Sequence, residues 1–179
     1  MSENMLRDVS KSSPLAHVIL RYFNVAGSDP DGKIGQSTPK ATLLVKVACE
    51  AAMGKRKNLH IFGTDYDTPD GTGVRDYIHV SDLAAAHVDA LKYLRDGGES
   101  ATLNCGYGRG LSVREIIQTV ERLHGTPLAV EESPRRAGDP PSLIAVADRI
   151  RKTLPWQPQY DDIETIVKTS LDWERNRKW

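Results

Sequence analysis

The sequence has little of several features, and each shortage excludes a class of protein. Only two cysteines occur in 179 residues, far apart and without metal-ligand spacing, so we expect no disulfide framework. No apolar run approaches 18 residues and the first eight residues carry acids, so we expect neither a membrane span nor a secretory signal. Lysine and arginine number 24 against 24 acids, which does not favour nucleic acid or a membrane surface as a partner. These shortages predict a cytoplasmic globular protein.

Reactive signatures are also missing. The sequence contains no G-x-S-x-G, no H-E-x-x-H and no G-x-x-x-x-G-K-[ST] motif. Its five histidines do not fall at metal-ligand spacing, so we predict no metal site. The two Asp-rich segments, 29–32 and 65–71, have the wrong order of acids and glycine for a calcium loop and are interpreted as turns.

What is present favours an α/β fold, because short β-rich runs alternate with helical patterns. The run 17–23 is apolar on both faces and predicts a strand inside a parallel sheet, as does 101–105. A helix is expected over 39–53, with Thr38 as its N-cap, and Ser81 is expected to cap a second helix. Ser112 and Glu115 form the pattern of a capping box at the start of a third.

Two features leave alternatives open. The glycine-rich segment 106–110 lies between a strand and a capped helix, so it is either a tight turn or a phosphate contact. Arg75 and the Arg135–Arg136 pair lie in separate loops. Two arginine forks could clamp a diphosphate with parallel hydrogen bonds, or they could pair with neighbouring acids on the surface.

Several motifs together resemble one family. They are LRYFNVAG at 20–27, IFGTDY at 61–66, DGTGVRDYIHVSDL at 70–83, NCGYG at 104–108 and PRRAGD at 134–139. This set resembles UDP-glucose 4-epimerase, a family of extended short-chain dehydrogenases, along essentially the whole chain. The resemblance implies part of a Rossmann-type parallel sheet plus the C-terminal substrate-binding α/β subdomain. It also implies a UDP-sugar substrate, NAD as cofactor, a place in galactose metabolism, and a homodimer in the parent family.

The family's reacting groups have no counterpart in this sequence. In the family, a Tyr-x-x-x-Lys pair supplies the base and a Gly-x-x-Gly-x-x-Gly loop binds NAD. None of the six tyrosines here is followed by lysine four positions on, and no such loop occurs. The resemblance therefore implies the C-terminal half of the enzyme, beginning a few residues after the catalytic lysine and inactive alone. A non-catalytic UDP-sugar-binding fragment and an inactive remnant remain as alternatives.

Seven positions match the family's binding residues. By resemblance, Phe23 lies at the nicotinamide end of NAD. The positions that match substrate-binding residues are Asn24 at the phosphates, Leu44 and Phe62 beside the uracil, Arg75 and Arg136 at the diphosphate, and Asp139 at the nucleotide ribose. Leu43 departs from the polar residue that the family often has. Leu143 replaces a large tyrosine of some members, which predicts room for an N-acetylated sugar.

The resemblance also implies a division of the chain. Residues 1–23 and 101–125 are expected to contribute to the Rossmann sheet side. Residues 24–100 and 126–179 are expected to form mainly the substrate-binding subdomain.

Overall fold

The computed structural model describes residues 1–177, so the last two positions of the predicted segment 126–179 lie outside the described residues. Helices and short strands alternate along this part of the chain. In order, the elements are α1 Ser2–Ser12, β1 Val18–Arg21, β2 Asn24–Ala26, α2 Leu44–Ala52, β3 Leu59–Phe62, β4 Val74–Arg75, β5 Tyr77–His79, α3 Val80–Arg95, β6 Ala101–Asn104, β7 Leu111–Ser112, α4 Val113–His124, β8 Val130–Ser133, β9 Ser142–Leu143, α5 Asp148–Thr153 and α6 Ile163–Asn176.

The strands form small sheets whose pairs are mostly parallel. β1 pairs with β6, β2 with β5 and β3 with β8, all parallel. β4 lies between antiparallel β7 and parallel β9. Parallel neighbours need long crossover connections, and here these contain helices. The predicted α/β fold with parallel strands is confirmed.

The single strand predicted over 17–23 is wrong, because this run serves two sheets. β1 ends at Arg21 beside β6, and β2 begins at Asn24 beside β5. At the break, the Asn24 N–H donates to the Asp76 carbonyl at 3.2 Å. The chain thus changes neighbours within three residues, and this change places Phe23 and Asn24 at the junction of the two sheets.

Two of the three predicted helix starts are wrong. α2 begins at Leu44, because Lys40 adopts a left-handed φ of 55° and no side chain caps the helix. α3 begins at Val80, where the His79 imidazole accepts the Ser81 N–H at 3.1 Å, so His79 is the cap. The capping box is confirmed: the Ser112 hydroxyl accepts the Glu115 N–H, and the Glu115 carboxylate accepts the Ser112 N–H.

Helix α6 joins two apolar cores. Ile166 packs with α3, α5 and the β1–β6 pair, whereas Val167 and Leu171 pack with α2 and α4. α2 and α6 are also linked by ions, since Lys46 contacts the carboxylate of Glu174 and both side chains are buried. The position of α2 is therefore fixed from two sides. Among residues 1–177, no helix has the length and apolarity to cross a membrane.

Candidate functional site

A cleft of about 490 Å³ lies between the start of α2, the end of β3, and the segments that carry β2, β4 and residues 136–139. All of the predicted substrate-binding residues line it, although they span more than a hundred positions of sequence. These are Asn24, Leu44, Phe62, Arg75, Arg136 and Asp139. Phe23 is half-buried directly before Asn24 and does not line the cleft, and neither does Leu143.

Arg75 is largely buried at the end of β4, with 15% of its side chain exposed. Its Nη1 donates to the Val74 carbonyl at 2.8 Å, and its Nη2 lies 4.0 Å from the Asp139 carboxylate. Gly73 gives the guanidinium space, because a Cβ there would lie 3.3 Å from Nη1. Within the described residues Nε makes no hydrogen bond, so Arg75 keeps donors for a ligand's oxygens.

The two adjacent arginines of the 134–139 loop take different partners. Arg135 donates to the Asp65 carboxylate at 2.7 Å and lies over the Tyr66 ring, which is the surface pairing considered above. Arg136 lies over the Phe62 ring, 3.8 Å from its centroid, inside the cleft. Only the second arginine of the pair therefore belongs to the cleft.

Asn24 and the buried Tyr77 are two polar residues of neighbouring strands that line the cleft. The β2–β5 register places Asn24 opposite Tyr77. Burial raises the pKa of Tyr77 to about 12, although a hydrogen bond with the Asn24 side chain opposes this. The Tyr77 hydroxyl therefore stays protonated at neutral pH and can donate a hydrogen bond, but it is not suited to act as a base.

Asp76 holds the backbone around the arginine in place. Its buried carboxylate accepts the N–H groups of Tyr107 at 3.1 Å, Gly108 at 2.9 Å and Ala145 at 3.2 Å. Burial raises the pKa of Asp76, and these three donors oppose the shift. A Cβ at Gly106 would lie 2.9 Å from the carboxylate, so only glycine fits there. The glycine-rich segment is thus a turn that supports Arg75, and two of its N–H groups are already used.

A second carboxylate closes the loop before β4. Asp70 accepts the N–H and the hydroxyl of Thr72 at 2.9 and 2.7 Å, and it accepts the hydroxyl of Ser112. Burial alone would raise the pKa of Asp70, but the hydrogen bonds outweigh burial and hold it below its usual value. The conspicuous 70–77 motif therefore places its arginine and its tyrosine in the cleft and uses its two aspartates for structure.

Sequence reasoning missed several residues of the cleft. Tyr77 and Tyr66 line the cleft and lie in the motifs 70–83 and 61–66, but the resemblance gives neither tyrosine a role in the site. Arg56, Asn58 and His60 also line the cleft and belong to no motif. Alternation along β3 could have pointed to His60, because it shares a face with Phe62 and both are exposed.

Comparison with known proteins defines the class. A family model described as the NAD dependent epimerase/dehydratase family matches residues 1–106. The chain belongs to this family.

Relatives that match almost the whole chain carry one name. This chain is 59% identical to the UDP-glucose 4-epimerase of Azospirillum brasilense, over 98% of this chain and 51% of that protein. The enzyme of Halalkalibacterium halodurans is 42% identical over 97% of this chain and 52% of its own length.

Solved structures agree with these relatives. UDP-glucose 4-epimerase from Brucella ovis in complex with NAD superposes with a TM-score of 0.91 at 44% identity, covering 95% of this chain and 52% of that one. The UDP-Glc/GlcNAc 4-epimerase of Campylobacter jejuni gives 0.80 at 54% identity, covering 99% and 54%. The chain spans about half the length of the curated relatives it matches, which confirms the predicted half-length. These coverages do not support the assignment to the C-terminal half.

Proposed function

We propose that this chain binds the UDP-sugar in a UDP-glucose 4-epimerase, an NAD-dependent isomerase that inverts the sugar 4-hydroxyl through a 4-keto intermediate. The observation that carries the proposal is the cleft itself. Arg75 and Arg136 come from distant loops and line one cavity together with Asp139 and the Phe62 ring.

The proposed roles follow from the chemistry of these side chains. Arg75 and Arg136 bind the diphosphate, since a planar guanidinium fork matches two phosphate oxygens. Asp139 accepts a ribose hydroxyl, and Asn24 donates its amide to a phosphate. Leu44 and Phe62 supply apolar contact to the uracil ring. Residues 24–100 and 126–179 would form mainly this substrate-binding part, and 1–23 with 101–125 the side that joins the Rossmann sheet.

The residues in hand do not make a dinucleotide site by themselves. NAD, when bound, accepts and returns a hydride, and of the family's NAD contacts this chain matches only Phe23. The Tyr-x-x-x-Lys pair and the glycine-rich loop have no match in the sequence, and Tyr77 holds its proton too tightly to act as a base. We therefore expect the chain alone to bind a UDP-sugar and to show no epimerase turnover.

Calorimetric titration with UDP tests the binding function. Replacing Arg75 or Arg136 by alanine should weaken UDP binding about 10- to 100-fold, because each change removes charge-assisted hydrogen bonds to a phosphate. Arg109→Ala is the matched control, since Arg109 is exposed and pairs with Asp161 outside the cleft. No heat at millimolar UDP, or an equal loss in the control, would contradict the proposal.

A turnover assay on the same preparation distinguishes a substrate-binding part without activity from a chain that is an active epimerase alone. UDP binding without conversion of UDP-glucose agrees with a substrate-binding part. Conversion by the chain alone would show that the reacting groups lie among residues not assigned to catalysis.

A further inference from the structure

A second cavity, of about 670 Å³, lies beside the cleft. The two share Ala41, Thr42 and Arg56, so the short segment before α2 separates them. The wall of the second cavity is mostly cationic, in contrast to the mixed cleft. Its charged residues are Lys40, Lys55, Arg56, Arg177 and Glu50.

The carboxylates at this place do not balance the cations. Glu174 is buried and contacts Lys46, Lys55 at 2.8 Å and Arg177 at 3.3 Å. Glu50 contacts Arg56 at 2.5 Å and Lys46 at 3.3 Å. Four cations therefore contact two carboxylates, and Lys40 adds a fifth, so this cluster carries an excess of three positive charges in a chain of zero net charge. All five cations except the buried Lys46 line the cavity. A concave surface with one sign of charge concentrates anions.

The cations differ in how firmly they are held. Arg56 is fixed, because its Nε donates to Glu50 and its Nη2 donates to the Ala41 carbonyl at 2.6 Å. Two donors are used in these bonds, and the guanidinium has five in total. Lys40 is exposed and makes no ion pair among residues 1–177. The cavity thus combines a fixed fork with a free ammonium, which suits several oxygens of one multivalent anion.

We infer that this cavity is a second anion site, separate from the nucleotide cleft, and that it binds a multivalent phosphate. The proposed function does not place any ligand group here, and its failure would leave this inference standing. Because Arg56 donates to the Ala41 carbonyl, an anion bound to Arg56 would lie against the segment that separates the two cavities, on the side away from the cleft.

Titration of the chain with inorganic pyrophosphate at low salt tests the site. The titration is run in the presence of UDP and repeated with Arg136→Ala, so that binding of pyrophosphate in the cleft is weakened in two independent ways. One pyrophosphate should bind, and added salt should weaken it. A second UDP molecule bound at millimolar concentration would identify nucleotide phosphates as the source, whereas one UDP with pyrophosphate still bound would identify free phosphate.

The decisive variant is Lys40→Asn. Asparagine tolerates the left-handed φ of 55° at this position, so the change removes a charge without straining the backbone. Pyrophosphate affinity should fall about fivefold. Lys57→Asn, an exposed lysine that does not line the cavity, should leave it unchanged. Absence of pyrophosphate binding, or binding that is insensitive to both Lys40→Asn and Arg177→Gln, would overturn the inference.

Discussion

Asp76 allows a quantitative test of how the cleft is supported. The residue is 1% exposed, and its carboxylate accepts three backbone N–H groups. In Asp76→Asn, one oxygen becomes an amide that donates, so at least one of these buried donors loses its acceptor. An unsatisfied buried donor costs about 1–3 kcal/mol, so we expect a loss of about 2 kcal/mol. Asp76→Ala leaves all three donors unsatisfied, and we expect a loss of about 4 kcal/mol.

Urea unfolding followed by circular dichroism measures both changes. The matched control is Asp161→Asn, because Asp161 pairs with Arg109 at the surface, and it should change stability by less than about 0.5 kcal/mol. The reasoning is refuted if Asp76→Asn unfolds at the same urea concentration as the wild type, or if Asp76→Ala is no less stable than Asp76→Asn. Either result would mean that water satisfies the N–H groups of Tyr107, Gly108 and Ala145.

Four further expectations concern stability and association. Glu174→Gln should lower the free energy of unfolding in urea by about 3 kcal/mol, because it leaves buried Lys46 without its closest carboxylate. The double variant Glu174→Gln with Lys46→Met should recover much of this loss. An equal loss of stability in the single and the double variant would contradict this. Burial raises the pKa of Glu174, but its lysine partners outweigh burial and hold the pKa below 4.5. The stability that Glu174 contributes is therefore present above pH 4.5 and is lost as the pH falls through the lowered pKa. An acid unfolding curve that Glu174→Gln leaves unchanged would contradict this expectation. Ser112→Ala should cost about 1 kcal/mol through loss of the capping box, with Ser133→Ala as the comparison. In the described residues β1 pairs with β6 alone, so each of these strands leaves one edge unpaired and available to another chain. We therefore expect the mass measured by light scattering to rise with protein concentration, and a monomer at all concentrations would refute this.

Local patterns predicted one of the three helix starts, that of α4. The capping box needs only residues three positions apart, and Gly125 ends α4 with a φ of 92° as a C-terminal glycine should. His79 was missed as a cap because an imidazole accepts a backbone N–H only in one tautomer, and composition does not reveal the tautomer. The break between β1 and β2 was missed because it arises where the chain changes from pairing with β6 to pairing with β5, and both partner strands are far along the chain.

The candidate site could be predicted only through family motifs. Composition and spacing left the arginines undecided between a clamp and surface pairs, because either outcome depends on which loops meet. The structure separates Arg135 from Arg136 by their partners, Asp65 and Phe62, and neither partner is near in sequence. Arg56 belongs to no motif, and its part in two cavities follows entirely from packing.

The pairing of the strands has a consequence for how the chain folds. Val18 pairs with Ala101 and Leu59 with Val130, so the partners of β1 and β3 lie about 70 to 80 residues later in the chain. Among residues 1–177 no strand pair is joined by a short hairpin loop, so a long loop must close before each pair gains its contacts. Folding should therefore be slow for a chain of this size. During synthesis, β1 remains without its β6 partner until Asn104 has been made, so the polar groups along this strand stay available to other chains in that interval.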